Sequence, residues 1–563
     1  MERLTIPKIL SESCEKYKNE IALSYVNGDP ITYEEMCKRV NELADFLRSK
    51  GISKGDKVAI LSENQPNWGI SYFATVSVGA IAVPIMTEFH STQVHHILRH
   101  SESKAIFISQ KLYNKIEGTE FEDLNIRIII DDLTFIAPES NLHSLKDLVN
   151  SGRAEIIRMR EAAKKIIGIT PEEIKEEDLA QIIYTSGTTG HSKGVMLTHK
   201  NIVANVESVL GFVSIGPGEK MLSILPLFHT IESTLGLLTP LKCGASVYYV
   251  DKPPTAGVLL PALKKVKPSV MVSVPLIIEK IFKMKVLPEI KKSAVVRNLY
   301  KIPTVRKKIH KKAGHKLNET FGGNLRMFCI GGAALAGDVE KFLREAGFPY
   351  AVGYGLTETS PLATGTDNFK TRYSSAGKAI PNVQIKIDNP DPATGEGEVL
   401  IKGPNVMKGY YKDPEMTAEV FTGDGWFRSG DLGVIDKDGY LFIKGRSKNV
   451  IVGSNGKNIY PEEVEAIINS YDYVEESLVF ENNGKLWAKV HLNYDMIDER
   501  LSLKKLTESE ARKKINDLMN QIHEYVNDKV SSFSRLTKIL EQIEPFEKTP
   551  TKKIKRFLYG KGE

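Results

Sequence analysis

Helical and strand-like patterns of apolar residues alternate along the first part of the chain. Apolar residues recur at helical spacing from Tyr33 to Lys50, and Gly51 then favours the end of a helix. The run Lys57 to Leu61 predicts a buried strand, Trp68 to Val78 predicts a helix, and Ala80 to Ile85 predicts a second strand. This alternation predicts a layered α/β fold with parallel sheets.

Two further apolar runs predict strands that end beside unusual residues. The segment Met221 to Phe228 leads directly to His229, and Leu325 to Ile330 leads into the small residues Gly331 to Ala334. Small residues leave room for a flat base on the backbone, although a tight turn explains them equally well. A lone histidine at a strand end is more often structural than functional, so neither segment assigns a role by itself.

The last part of the chain has a different pattern. A predicted helix begins at Pro461, a position that favours proline. Two strands joined through Asn483 and Gly484 follow, and this dipeptide is a strong hairpin signal. Thr507 and Glu510 then have the spacing of a capping box at the start of another helix. These elements predict a small α+β domain at the C-terminus.

A polar loop from Thr185 to Gly194 lies between the apolar runs Ile182 to Tyr184 and Val195 to Leu197. It contains five hydroxyl residues, three glycines and one lysine within ten positions. Glycines allow N–H groups to converge on an anion, the hydroxyls donate further hydrogen bonds, and Lys193 supplies a cation. A flexible linker is the alternative, but strands rarely flank a linker on both sides. The pattern therefore predicts a hairpin loop that binds nucleotide phosphates.

Five stretches together resemble the adenylate-forming superfamily, which includes acyl-CoA synthetases, luciferases and peptide-synthetase adenylation domains. They are Tyr184 to Gly194, Tyr354 to Thr359, Gly425 to Asp431, Lys444 to Lys448 and Pro550 to Lys553, in the order and spacing of that superfamily. The resemblance implies a large N-terminal layered α/β domain with several sheets, residues 1–447. It also implies a small mobile C-terminal α+β domain, residues 448–563, with Lys448 at the hinge.

The resemblance also implies the residues of the site. The nucleotide-binding residues would be Thr185, Ser186, Gly187, Thr188, Thr189, Gly190, Lys193, Gly331, Gly332, Ala333, Tyr354, Gly355, Asp431 and Arg446. The catalytic residues would be His229, Thr357, Glu358 and Lys553.

Several of these residues have roles implied by the resemblance. Tyr354 would stack on adenine, Thr357 would bind the α-phosphate, and Glu358 would hold Mg²⁺, which prefers oxygen ligands. Asp431 would accept hydrogen bonds from both ribose hydroxyls, and Arg446 would approach the ribose or phosphate. His229 would lie beside the carboxyl group of the acyl substrate.

The chain departs from the superfamily pattern at two places. In the final motif Lys552 stands where glycine is usual, so Lys553 aligns with the catalytic lysine while Lys552 stays an alternative. The turn Gly453 to Gly456 is one residue longer than usual, in a region that lines the thiol channel.

The most similar members are bacterial long-chain fatty acyl-CoA synthetases. This likeness implies ATP-dependent activation of a fatty acid to acyl-AMP, with Mg²⁺, followed by transfer to coenzyme A. One alternative is transfer to the pantetheine of a carrier protein. A second alternative is a lipid-binding scaffold without turnover, but the chain retains the charged residues of the predicted site.

The formal charge of +6 is concentrated in one segment. Between Lys280 and Lys316 thirteen Lys or Arg residues stand against the single acid Glu289. Such a patch suits an anionic membrane surface, the phosphates of coenzyme A, or no partner at all. Nucleic acid is the weakest candidate, because no recognised binding module surrounds the segment. We expect weak contact with the inner face of a membrane.

The remaining features indicate a cytoplasmic protein. The four cysteines are far apart in sequence and show no metal spacing, so reduced thiols are expected. The N-terminus lacks the apolar core of a signal peptide, and the longest uncharged run is too polar to cross a bilayer.

Overall fold

The computed structural model describes residues 4–136, 172–186, 192–288, 298–452, 458–501, 506–549 and 553–560. Five residues of the predicted phosphate loop lie outside these ranges: Gly187, Thr188, Thr189, Gly190 and His191. Lys552 and the turn from Gly453 to Gly456 lie outside them as well. Their assignments stay predictions.

Two large sheets form the centre of the N-terminal part. The first has eight strands, in the spatial order Gly409–Tyr410, Ser192–Thr198, Leu179–Ser186, Ile81–Pro84, Lys57–Leu61, Ser103–Ile108, Ile126–Ile129 and Thr134–Ile136. The second has seven, in the order Tyr350–Val352, Met327–Ile330, Val270–Ser273, Lys220–Ser223, Ser246–Tyr249, Ile21–Tyr25 and Ile31–Thr32. All neighbours in the second sheet are parallel except the last pair. The predicted layered α/β fold with parallel sheets is confirmed.

Helices alternate with these strands along the chain. The described α-helices in this part are Ile6–Lys16, Tyr33–Ser49, Pro66–Ser77, Ser91–Ser101, His199–Leu210, Thr239–Lys242, Ala256–Val266, Pro275–Ile281, Pro303–Thr320 and Gly337–Ala346. Two π-helical segments, Ile231–Leu238 and Phe282–Val286, stand among them. The predicted helix from Tyr33 buries Met36, Val40 and Leu47 completely, so its helical spacing produces one apolar face.

Two smaller sheets follow in the chain. One contains Tyr354–Gly355, Leu362–Gly365 and Lys378–Ala379. The other is antiparallel and contains Gln384–Asp388, Gly397–Lys402, Phe427–Ile435 and Leu441–Arg446. A short helix, Pro414–Glu419, lies in sequence between the second and third strands of this antiparallel sheet.

The C-terminal lobe has its own sheet and its own apolar core. Its strands are Val474–Asn482, Lys485–Leu492 and Lys538–Glu541, beside the two-stranded pair Ile451–Val452 and Asn458–Ile459. Its α-helices are Pro461–Asn469, Tyr494–Leu501 and Glu508–Asn527. The core residues, from Ile459 to Leu536, form a separate cluster. The domain boundary at residue 448 stays a prediction.

Local signals in this lobe act as predicted. Asn483 and Gly484 have φ values of 52° and 73°, which is the geometry of a tight hairpin turn between the first two strands. Thr507 and Glu510 exchange hydrogen bonds at the start of the longest helix, which confirms the capping box.

One expectation was wrong. The strand predicted from Met221 to Phe228 ends at Ser223. Pro226 has no N–H group to donate to a neighbouring strand. The chain turns there, and the N–H of His229 donates to the Pro226 carbonyl. Cys14 and Cys37, which are 23 residues apart in sequence, lie next to each other with Cα atoms 6.4 Å apart, a separation that allows a disulfide, and their reduced state stays a prediction. Their spacing gave no sign of this, because only the packing of the first two helices brings them together.

Candidate active site

Three parallel strands of the seven-stranded sheet lead to one edge of the N-terminal part. His229, Gly331 and Tyr354 each follow the carboxyl end of such a strand. In open α/β sheets, ligands usually bind outside the carboxyl ends of the strands. This edge is therefore the place where a ligand site is expected.

Asp431 is the buried acid at this edge, with only 5% of its surface exposed. Its carboxylate accepts a hydrogen bond from Tyr354 Oη at 2.6 Å and pairs with Arg446 Nε at 2.8 Å. Asp431 and Arg446 are register partners on neighbouring antiparallel strands, so the sheet itself brings them together. Burial raises the pKa of Asp431, while Arg446 and Tyr354 oppose that rise. The carboxylate is thereby fixed in one orientation.

Glu358 lies on a short helical turn, Thr357–Thr359, with Thr357 half-buried beside it. Its carboxylate accepts a hydrogen bond from Tyr410 Oη at 3.0 Å, and Lys193 Nζ lies 5.2 Å from the centre of the Tyr410 ring. Tyr410 therefore connects the predicted magnesium ligand with the predicted phosphate-binding lysine. Nothing in the local sequence marked Tyr410, because its place depends on a strand pairing between residues 409–410 and 195–196.

The two strands that flank the predicted phosphate loop form the expected antiparallel hairpin. Thr185 lies opposite Lys193, and Ser186 lies opposite Ser192. A Cβ at Gly194 would approach Ile182 Cγ2 to 3.0 Å, so a close contact at the base of the hairpin favours glycine. The hairpin holds Lys193 at the mouth of the loop.

Lys553 comes to the same edge from the C-terminal lobe. A tight turn holds it, in which Thr549 N–H donates to the Lys553 carbonyl at 2.7 Å. The residue has an exposed surface, yet many protein atoms surround its side chain. This crowding and the charge of Arg446 lower the pKa of Lys553, while Asp431 and Glu358 oppose the change. A cation from one lobe thus faces two acids of the other.

His229 completes this group of side chains. Burial, and then the positive charge of Lys553, lowers the pKa of His229 to about 4. The imidazole is therefore neutral at pH 7 and can donate one hydrogen bond without adding charge. Its backbone carbonyl accepts from the N–H groups of Glu232 and Ser233, which begins the π-helical segment.

An apolar cavity opens at the same part of the seven-stranded sheet. Its volume is about 70 Å³ as room for water-sized molecules, and about 740 Å³ when all the space out to open solvent is counted. Its wall includes Phe212, Met221, Val272, Cys329, Ala351 and Leu362. Gly331, Gly332 and Gly355 also line it, and Gly355 follows Tyr354, which bonds to Asp431. Burial raises the pKa of the Cys329 thiol to about 12, so this wall carries no charge near neutral pH.

Gly355 has a structural requirement of its own. A Cβ at this position would lie 1.9 Å from the Pro361 carbonyl oxygen, so no side chain fits. The two chain segments approach closely because Tyr354–Gly355 pairs with Leu362–Gly365. The predicted nucleotide contact of Gly355 stays a prediction.

Two other predicted residues do not join the cluster of charged side chains. Ala333 is exposed beyond the end of its strand, and Lys448 is exposed in a helical turn after Arg446. Near Lys448 the lobes meet through polar contacts: Tyr460 donates to Glu396 at 2.7 Å, and Lys444 lies 3.5 Å from Glu463.

The described residues contain no group of three or more His, Cys, Asp or Glu side chains able to hold a metal. A magnesium ion that arrives with ATP needs only one or two carboxylates, since phosphates supply other ligands. Glu358 fits that requirement, because Tyr410 donates to one of its oxygens and no hydrogen bond from a described residue reaches the other.

A family model for AMP-binding enzymes matches residues 10–411. The chain belongs to this family. A long-chain-fatty-acid–[acyl-carrier-protein] ligase of Arabidopsis thaliana chloroplasts is 27% identical, over 92% of this chain and 81% of the relative. A long-chain-fatty-acid–CoA ligase of Bacillus subtilis is 29% identical, over 84% and 82%. The AMP-binding family and these relatives support adenylate-forming acyl ligase activity.

Solved structures agree with the fold. The anthranilate CoA ligase AuaEII in complex with anthranoyl-AMP has a TM-score of 0.76 at 22% identity, with 98% of this chain and 96% of that chain covered. An O-succinylbenzoate CoA synthetase of Bacillus subtilis with ATP and magnesium has a TM-score of 0.71 at 22% identity, with 98% of both chains covered. Both confirm an adenylate-forming fold with a small C-terminal lobe.

Proposed function

We propose that this AMP-binding ligase activates a long-chain fatty acid with ATP and transfers the acyl group to coenzyme A. The observation that carries the proposal is the apolar cavity, whose wall includes Gly355, the residue after Tyr354, and Tyr354 donates a hydrogen bond to Asp431 of the charged cluster. A fatty acid has one charged end and one apolar end, and the two sides of this site match them.

In the first half-reaction, a carboxylate oxygen attacks the α-phosphorus and the bond to pyrophosphate breaks. Negative charge builds on the phosphate oxygens, so cations already in place stabilise the transition state. Lys553 and Lys193 supply such cations, and Asp431 would orient the ribose. Magnesium bound with ATP supplies further positive charge, and Glu358 is the carboxylate that would hold it. Neutral His229 would donate to the substrate carboxylate.

In the second half-reaction, a thiolate sulfur bonds to the acyl carbon and AMP leaves with the electron pair of the broken bond. Lys553 occupies a position suited to the first step, so the C-terminal lobe would swing about Lys448 before the thiol enters. The Lys444–Glu463 pair at the lobe boundary is partly exposed. Such pairs contribute about 0–1 kcal/mol each, so they oppose the movement weakly.

The chain-length preference rests on the cavity. Each buried methylene contributes about 0.8 kcal/mol, so an acyl chain that fills the cavity binds far better than a short one. Measuring pyrophosphate release with ATP, magnesium and carboxylates of increasing length tests this directly. Rates should rise with chain length, and a preference for aromatic or short acids would refute the fatty acid assignment.

Transfer to a carrier protein is the second candidate. The name of the Arabidopsis relative, an acyl-carrier-protein ligase, is the observation that favours it. Comparing thioester formation with coenzyme A and with a holo carrier protein separates the two acceptors. Faster transfer to the carrier would replace coenzyme A in the proposal and leave the adenylation step unchanged.

A further inference from the structure

The helix Pro303–Thr320 displays a row of lysines to solvent. Lys307, Lys308, Lys311, Lys312 and Lys316 are exposed and form no ion pair with another described residue. Their spacing places them on one side of the helix, over about 14 Å of its length. We name this side the cationic face.

The opposite side of the helix is fixed against the protein. Arg306 makes a two-pronged ion pair with Glu345, at 2.9 Å and 3.0 Å, and buried His310 lies 2.8 Å from the same carboxylate. At Gly314 the neighbouring helix is so close that a Cβ would lie 2.7 Å from Ala346 Cβ. The helix therefore cannot roll, and the cationic face always points outward. Arg306 belongs to the packing and not to this face.

Two exposed apolar side chains precede the helix, and two more lie on the segment that packs against its other side. Leu299 and Ile302, 43% and 47% exposed, come directly before the helix. Leu276 and Met284 are 54% and 62% exposed. Phe282, in the same segment, packs on Phe342, and Phe342 in turn contacts His310 of the helix. Large exposed apolar groups beside unpaired lysines are the composition of an interfacial membrane surface. A purely solvated face would not need the apolar groups.

The same segment is near the apolar cavity. Val272 lines the cavity, and Leu276 stands four residues later, within about 14 Å of extended chain. We propose that the cationic face, together with Leu299 and Ile302 just before the helix, binds the headgroup region of an anionic phospholipid bilayer, which holds the cavity close to its membrane-dissolved substrate. The delivery of a fatty acid from the bilayer rests on the proposed function, whereas the binding of the protein to the bilayer does not.

Vesicle sedimentation tests the proposal. The full-length protein should bind phosphatidylcholine vesicles only when they contain phosphatidylglycerol, and binding should fall as salt shrinks the Debye length from about 10 Å to about 3 Å. Each lysine near an anionic surface improves binding about fivefold. Replacing Lys307, Lys308, Lys311 and Lys312 by Gln should therefore weaken it at least a hundredfold.

Matched variants separate this surface from general charge. Replacing exposed Lys18, Lys38, Lys437 and Lys513 by Gln makes the same change in net charge and should leave binding within about threefold, since these lysines lie elsewhere. The pair Leu299→Ser and Ile302→Ser should weaken binding even at high salt. Equal loss in both lysine variants, or no vesicle binding by the unchanged protein, would overturn the proposal.

Activity without vesicles distinguishes the remaining outcomes. The four-lysine variant should release pyrophosphate from ATP and a dispersed fatty acid at the unchanged rate. A higher KM for coenzyme A or for an acidic carrier protein, with vesicle binding retained, would assign the cationic face to the acceptor and refute the membrane proposal. Vesicle binding by a protein that activates no fatty acid would refute the proposed function instead.

Discussion

The nucleotide side and the acyl side of the proposed site meet at Gly331 and Gly355 but are built by opposite means. On the nucleotide side, short polar contacts fix each acid: Asp431 lies 2.6 Å and 2.8 Å from its partners, and Glu358 lies 3.0 Å from Tyr410. On the acyl side, apolar walls surround empty space. The first side fixes charges for a reaction, and the second leaves room for a molecule.

This difference separates two kinds of effect. A substitution among the fixed charges should slow the reaction for every acyl substrate, because the phosphate chemistry is common to all of them. A substitution in the cavity wall should change which acyl chain is accepted while the chemistry persists. The following variants test whether the two sides are separable.

Lys553→Ala should have the largest effect. It removes the cation that the C-terminal lobe brings to Asp431 and Glu358, so acyl-AMP formation should fall about a thousandfold or more for all chain lengths. Transfer from pre-made acyl-AMP to coenzyme A should change little. Pyrophosphate release and single-step thioester assays measure the two halves.

Neighbouring lysines provide the controls for Lys553. Lys555 pairs with Glu547 at 3.2 Å, so Lys555→Ala should leave acyl-AMP formation nearly unchanged. Lys552→Ala should also have a far smaller effect than Lys553→Ala. If Lys552→Ala is the more damaging, the alignment of the final motif is wrong by one residue.

Glu358→Gln should reduce adenylation about a hundredfold at low magnesium, because an amide is a weak ligand that cannot offset the charge of the metal. Added magnesium should restore part of the rate. Tyr410→Phe removes the hydrogen bond to Glu358 but keeps the carboxylate, so its effect should be under about tenfold. Full activity of Glu358→Gln at low magnesium would exclude this residue as the ligand.

Gly331→Leu tests the acyl side. A Cβ at this position meets only the Gly353 carbonyl, at 3.5 Å, so the side chain can extend into the cavity without a backbone clash. Loss of room for two or three methylenes should reduce kcat/KM for the longest chains about tenfold to fiftyfold. The sequence also predicts a nucleotide contact for Gly331, and a side chain there would then lower activity at every chain length. Retained activity with a medium-length chain is therefore the result that assigns Gly331 to the acyl side. Cys329→Ala, which enlarges the same cavity, should not lose long chains.

Glu232→Gln should change the pH dependence of stability with the smallest effect on activity. Glu232 is 1% exposed, and burial raises its pKa to about 8 against hydrogen bonds from Ser223 and Leu225. As pH rises, the unfolded chain loses this proton before the folded protein does. The free energy of unfolding therefore falls between about pH 4.5 and pH 8, by about 1.4 kcal/mol per pH unit. Gln cannot ionise and should remove that slope.

Chemical denaturation of both proteins across this pH range measures the effect of Glu232. The difference between the two curves cancels other groups, such as His229, whose lowered pKa acts in the opposite direction. Parallel stability curves would show that Glu232 is already ionised in the folded protein.

The sequence predicted the charged cluster of the proposed site better than its apolar cavity, and the reason is physical. Short motifs contain Asp431, Arg446 and Tyr354, and the residue types in those motifs already indicate charged and hydrogen-bonding roles. In the structure these three side chains are in contact. Tyr410 was missed because its role arises from a strand pairing, and Glu232 because a buried acid resembles any other Glu in sequence. The cavity was not predictable in shape, since Phe212, Cys329 and Leu362 line it only after distant segments pack.

The central claim is that one side performs the chemistry and the other selects the acyl chain. Pyrophosphate release measured against acyl chain length, for the unchanged protein, Lys553→Ala and Gly331→Leu, tests it most directly. The account predicts that Lys553→Ala lowers the whole profile by one factor, whereas Gly331→Leu lowers only its long-chain end. A Gly331→Leu profile reduced equally at all lengths, or a Lys553→Ala profile changed in shape, would contradict it.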